Sequence, residues 1–117
     1  MVDKILNMRV LSELSKQLGH ETAKMLLTRY EEEANAFITQ LNSRQGKNAP
    51  VEDLIKAIHK TAGSSAQLGL SAMHHKLNVI EVNVKQQGID ALWSEIDSLN
   101  TLWDDSKNAI RNEGFLN

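Results

Sequence analysis

Apolar residues recur every three or four positions along almost the whole chain, and nowhere do they alternate long enough to suggest a half-buried strand. That spacing lays one face of a helix against a core. It is interrupted only by short glycine-bearing links and by a single proline, Pro50. The spacing predicts five helical segments, at roughly 7–18, 21–43, 50–68, 71–87 and 90–112.

In the first segment Val10 or Leu11, Leu14 and Leu18 make one stripe, with Asn7 as cap and Gly19 as stop. The second carries Ala23, Leu26, Leu27, Tyr30, Ala34, Phe37 and Leu41 on one face, and Glu31, Glu32 and Glu33 off it, where they read as a solvated face. Arg44–Ala49 is polar and contains a glycine, so it reads as the longest link, and Pro50 suits the first turn of the helix that follows. The third segment places Val51, Leu54, Ile55, Ile58 and Ala62 on one side and stops at Gly69. Ser71 and Asp90 are good caps for the fourth and fifth, whose stripes are Met73, Leu77, Ile80, Val84 and then Leu92, Ile96, Leu99, Trp103. The tail after about Asn112 is expected to fray.

One short helix and four longer ones, joined mostly by tight links, imply an all-α fold: an up-down-up-down four-helix bundle with an additional short N-terminal helix. At 117 residues the chain suffices for one domain, spanning 1–117, with one core. A net charge of −2 argues against sequence-independent nucleic-acid binding. The absence of a long apolar run argues against a membrane span, and the polar N-terminus against a secretory signal, so a cytoplasmic protein is expected. With no cysteine there is no thiol or disulfide chemistry.

The third segment, around Ile58-His59-Lys60-Thr61-Ala62-Gly63-Ser64, carries more than helical pattern. Glycine inside a helix costs about 1 kcal/mol relative to alanine, so Gly63 needs a reason. It lies four residues after His59, one turn along the same face, where the lack of a side chain leaves one flank of the imidazole open. On a wheel of about 100° per residue, the apolar stripe lies to one side of His59 and Lys56, Lys60, Gly63 and Gln67 fan out on the other. Packing can fix the ring on one side while solvent reaches a nitrogen on the other. Imidazole has an ordinary pKa near 6.5, so near neutral pH a large fraction carries a free lone pair that can attack phosphorus. Lys56 and Lys60 lie within a turn and can offset the added charge.

These residues resemble the histidine-containing phosphotransfer family of multistep two-component relays. That family's motif has glycine four residues after the phosphorylated histidine, a small residue at five and a second glycine at ten, here Gly63, Ser64 and Gly69. Gln67 stands where an Asn- or Gln-like residue is common, and Ile80-Glu81 matches an apolar residue followed by glutamate in the next helix. The break at Gly19 and the helix from Tyr30 to Leu41 are also similar to the family's earlier elements. The resemblance implies a free-standing phosphoryl carrier, with no autokinase activity and no intrinsic cofactor. It would accept a phosphoryl group on His59 from a receiver domain of a hybrid sensor kinase and pass it to the receiver domain of a response regulator. Magnesium would come with the receiver partner. A monomer is expected, docking through the surroundings of His59, with Ile55, Ala62 and Lys85 among the contacts. One position departs from the family, which usually has lysine three residues after the histidine; this chain has Ala62. Lys60 points about 100° away, which leaves Lys56, or Lys85 on the next helix, as the substitute.

Two other readings compete. A bundle can hold a metal, but His20, His59, His74 and His75 include no pair at i, i+4 and no Glu-x-x-His, so no metal site is expected. A non-catalytic adaptor, docking receiver or kinase domains without transfer, is the second.

Overall fold

The computed structural model describes residues 5–43 and 48–116. Among them all regular structure is helical: α1 (Met8–Leu18), α2 (His20–Leu41), α3 (Val51–Gln67), α4 (Ser71–Gln87), α5 (Asp90–Trp93) and α6 (Ile96–Asn112). The polar link expected over Arg44–Ala49 lies outside the described residues except at Asn48 and Ala49.

Helix α1 starts where Asn7 caps it, the side-chain oxygen accepting from the amides of Arg9 and Val10 at 3.1 and 3.4 Å. Gly19, at φ +86°, ends α1 and at once caps α2. The other expected caps act differently. Ser71 and Asp90 are the first residues inside their helices rather than caps, and neither makes a capping hydrogen bond. The Ser71 hydroxyl instead donates to the Ile5 carbonyl at 3.4 Å. Pro50 sits just before α3, its carbonyl accepting from the amides of Asp53 and Leu54.

Two expectations at the C-terminal end are corrected. The segment 90–112 is broken at Ser94 and Glu95 into α5 and α6. Glu95 adopts a non-helical backbone there, and its carboxylate accepts from the Ser98 hydroxyl and pairs with Lys76, which ties the break to α4. Residues 113–116 of the tail do not fray. Gly114, at φ +84°, turns the chain back so that the Phe115 amide donates to the Ile110 carbonyl at 3.0 Å. Phe115 and Leu116 are thereby buried, the Phe115 ring lying 5.1 Å from that of His20.

The core is shared by all six helices and contains Leu11, Leu27, Leu54, Ile58, Leu77, Ile80, Leu92, Leu99 and Trp103, each almost completely buried. Leu18 departs from its expected stripe and is exposed, because α1 ends at that point and the chain turns away at Gly19. Val51, at the first turn of α3, is exposed for a similar reason: it lies at the end of its helix, beyond the core. Of the glutamates off the α2 stripe, Glu31 is half-buried and pairs with Arg111 at 3.4 Å.

The most extensive helix contact is between α3 and α4. They run antiparallel, since His59 meets Glu81 while Ala62, further along α3, meets the earlier His74. The turn between them is anchored at Gly69. Its φ of +83° is a conformation that side chains disfavour, and an added Cβ would lie 3.1 Å from the Asn7 carbonyl and 3.2 Å from Leu11. Its carbonyl accepts from the Asn7 amide at 2.8 Å, so the start of α1 is fastened to the end of α3. Across α2 and α3, the Tyr30 and Ser65 hydroxyls meet in the interior at 2.6 Å, and Ser65 also reaches the Thr61 carbonyl at 2.7 Å.

Candidate functional site

His59 lies in the middle of α3 with its side chain 76% exposed, yet its ring is tethered on one side. Nδ1 is 3.2 Å from both Oε1 and Oε2 of Glu81 on α4. The Glu81 side chain is only 9% exposed. A carboxylate can only accept, so in the neutral ring the Nδ1 facing it carries the proton and Nε2 keeps the lone pair. Nε2 has no hydrogen-bond partner among the described residues and belongs to the exposed part of the side chain.

Glu81 has a second partner one turn along α4, where Lys85 Nζ donates to Oε2 at 2.9 Å. The Lys85 hydrogen bond foremost, with that of His59 and the charge of both, holds the Glu81 carboxyl below its ordinary value against the opposing effect of burial. The carboxylate is therefore charged near neutral pH.

Ile55, Lys56, His59, Lys60, Glu81 and Lys85 line a shallow groove of about 330 Å³ between α3 and α4. Five of the residues singled out from sequence, His59, Ile55, Lys56, Lys60 and Lys85, thus come together. Three lysines and one glutamate share the groove with the imidazole, and Lys56 and Lys60 have no ion-pair partner among the described residues. Gly63 is exposed beside them, and a Cβ added to it would meet nothing within 4 Å. Its glycine therefore answers to no packing constraint within the chain, and the flank of His59 on that side is open.

Two residues do not fit where the sequence put them. Gln67 stands two turns beyond His59 and lines a different hollow, with Leu14, Arg29 and Tyr30, between α1, α2 and α3. At eight residues' distance the helical rise of about 12 Å takes it out of reach of the histidine. Ala62 is 2% exposed, and its carbonyl accepts from His74 Nδ1 at 3.0 Å. With α4 packed over it, Ala62 cannot touch a docking partner.

In sequence Glu81 stands out only as half of the Ile80-Glu81 pair, not as a site residue. A signal was present. Leu77, Ile80, Glu81 and Val84 fall at i, i+3, i+4 and i+7 of α4, so Glu81 occupies a core position, where a carboxylate is rarely found without a partner.

The remaining histidines have other surroundings. His74 accepts at Nε2 from Asn78 at 3.2 Å while bonded to the Ala62 carbonyl, His20 faces Phe115, and His75 is exposed. Among the described residues no group of three or more His, Asp or Glu side chains is placed to hold a metal. Nor is any helix among them long and apolar enough to cross a membrane. A second hollow of about 330 Å³ lies on the other side of α3, against Tyr30 and Phe37 of α2, and Lys60 is the one side chain common to it and the His59 groove. No family model, no curated protein and no solved structure matches this chain.

Proposed function

We propose that the chain is a histidine-containing phosphotransfer protein, a four-helix bundle with an added N-terminal helix, working in the cytoplasm as a monomeric relay between receiver domains. The observation that carries this reading is the asymmetry of His59: Nδ1 is held by a buried carboxylate, and Nε2 stands in an exposed, lysine-rimmed groove.

In that arrangement the Nε2 lone pair attacks the phosphorus of an aspartyl phosphate on the donor receiver. The new bond is N–P; the bond that breaks joins phosphorus to the aspartate oxygen, which leaves as a carboxylate. Nδ1 keeps its proton throughout, so the ring gains positive charge as the N–P bond forms, and the Glu81 carboxylate lies against that charge. The added phosphoryl charge is offset by the ammonium groups of Lys56 and Lys60, which have no ion-pair partner among the described residues, with Lys56 in place of the lysine that the family usually has where this chain has Ala62. Running the same step in reverse onto a second receiver's aspartate passes the group on. Such chemistry needs positioning and charge more than covalent machinery, and a helix face with one oriented imidazole supplies both. Magnesium would be held by the receiver. An encounter of this kind is brief and modest in area.

A phosphorylated receiver domain incubated with this protein should yield an acid-labile, alkali-stable label, which His59→Gln abolishes. A second reading, a docking adaptor without transfer, is favoured by one feature, the alanine at position 62. Failure of several receivers to label a folded protein would count against transfer, and a His59→Gln variant that keeps its partner function would favour the adaptor.

A further inference from the structure

A carboxylate in contact with a nucleophilic imidazole presents a chemical difficulty. Left unpaired, it stabilises the imidazolium, and an imidazolium has no lone pair with which to attack phosphorus. The contact that orients His59 would then also disarm it. Lys85 stands where this conflict can be resolved: its Nζ is 2.9 Å from Oε2 of the same carboxylate whose oxygens lie 3.2 Å from Nδ1. Of the three lysines in the groove, Lys85 alone among them touches Glu81.

We propose that Lys85 is a positioning residue that keeps His59 neutral and nucleophilic by neutralising Glu81, so that Glu81 selects the Nδ1–H tautomer without drawing a second proton onto the ring. This rests on the reading of His59 as the phosphoryl acceptor. With the ammonium supplying the compensating charge, Glu81 accepts a hydrogen bond from a neutral imidazole instead of forming an ion pair with a charged one. The other titratable groups facing the ring are Lys56 and Lys60, both from α3; neither α2 nor α6 contributes a residue to the groove. Lys56 and Lys60 are exposed and act on the ring through solvent, where charge is strongly screened, whereas Lys85 acts through the carboxylate that touches it.

The test needs no phosphoryl donor. Diethyl pyrocarbonate carbethoxylates neutral imidazole, and its rate at His59 can be followed peptide by peptide by mass spectrometry from about pH 6 to about pH 8.5, the range in which histidines titrate. Relative to wild type, Lys85→Gln should react more slowly at the acid end, on the order of tenfold, and equally fast at the alkaline end. Lys85→Arg should follow wild type. Adding Glu81→Gln to Lys85→Gln should restore the acid-end rate, because the charge that protonates the ring is gone. Lys85→Met, a second neutral variant, guards against a local folding defect. A Lys85→Gln profile that superimposes on wild type overturns the proposal, and so does one lowered equally at every pH. If no receiver labels the chain but these profiles hold, the relay reading falls and the assignment of Lys85 stands.

Discussion

The His59 ring meets Glu81 through one nitrogen only: both carboxylate oxygens lie 3.2 Å from Nδ1, and Nε2 is left without a partner among the described residues. The link joins an exposed residue of α3 to a buried one of α4, so the orientation of a solvent-facing ring depends on a core position of the neighbouring helix.

Glu81 should govern acid stability as well as the ring. Its carboxyl titrates below the ordinary value of 4.5, chiefly through Lys85. A carboxyl depressed by folding contributes stability that is present above the unfolded value and is lost as pH falls through the folded one. Glu81→Gln should therefore flatten the decline of unfolding free energy below about pH 4.5, measured by urea titration at a series of pH values. Glu81→Ala, which returns the exposed His59 and Lys85 donors to water, should cost no more than about 0.5–1.5 kcal/mol at neutral pH.

The two glycines of the α3 region should respond oppositely to alanine. Gly63 lies in ordinary helical backbone with open space around a Cβ, so Gly63→Ala should raise stability by about 0.5–1 kcal/mol. It should at the same time slow labelling of His59 by a receiver, since the methyl group fills the open flank. Gly69→Ala forces a Cβ to 3.1 Å from the Asn7 carbonyl at φ +83°, and should destabilise by about 1–3 kcal/mol. Thermal unfolding of the two variants beside wild type checks both signs; equal effects would contradict the geometry.

Tyr30 should make the fold sensitive to alkali. Burial pushes its hydroxyl up from 10.0 to about 12, against the smaller opposing effect of its bond to Ser65. A group raised by folding contributes stability that is complete below its unfolded value and lost as pH rises toward the folded one. Unfolding free energy should then fall between about pH 10 and pH 12, and Tyr30→Phe should remove that component of the fall. At neutral pH Tyr30→Phe should cost about 0.5–1.5 kcal/mol, because Ser65 retains the Thr61 carbonyl as partner.

Much of this was legible in one dimension. The 3.6-residue spacing of apolar side chains reports which face of each helix is buried, and that is a local property of the chain. Asn7 and Gly19 could be read because a cap acts on the amides or the backbone angle of its own neighbourhood. His59 was identifiable as a shoulder residue beside an unneeded glycine for the same reason: Gly63 is one turn away on the same helix. The helix break at Ser94 and Glu95 was not legible, because no glycine or proline marks it and the apolar spacing of Leu92, Ile96 and Leu99 runs on across it. The burial of Phe115 was not legible because its ring meets His20, at the other end of the chain, although Gly114 carried a local sign of a turn.

The sequence by itself determined that the chain is helical, which faces of most helices are buried, and that one histidine stands at the edge of an apolar stripe. Only the tertiary structure decided what that histidine touches. Glu81 and Lys85 approach it because α3 and α4 fold back antiparallel about Gly69, and the register of that pairing depends on a glycine turn pinned to Asn7. The same packing buried Ala62 beneath α4, and the rise of α3 carried Gln67 away to another hollow. Periodicity gives the angle of a residue around its own helix. It carries no information about which residue of a second helix stands opposite, and the chemistry of His59 depends on that.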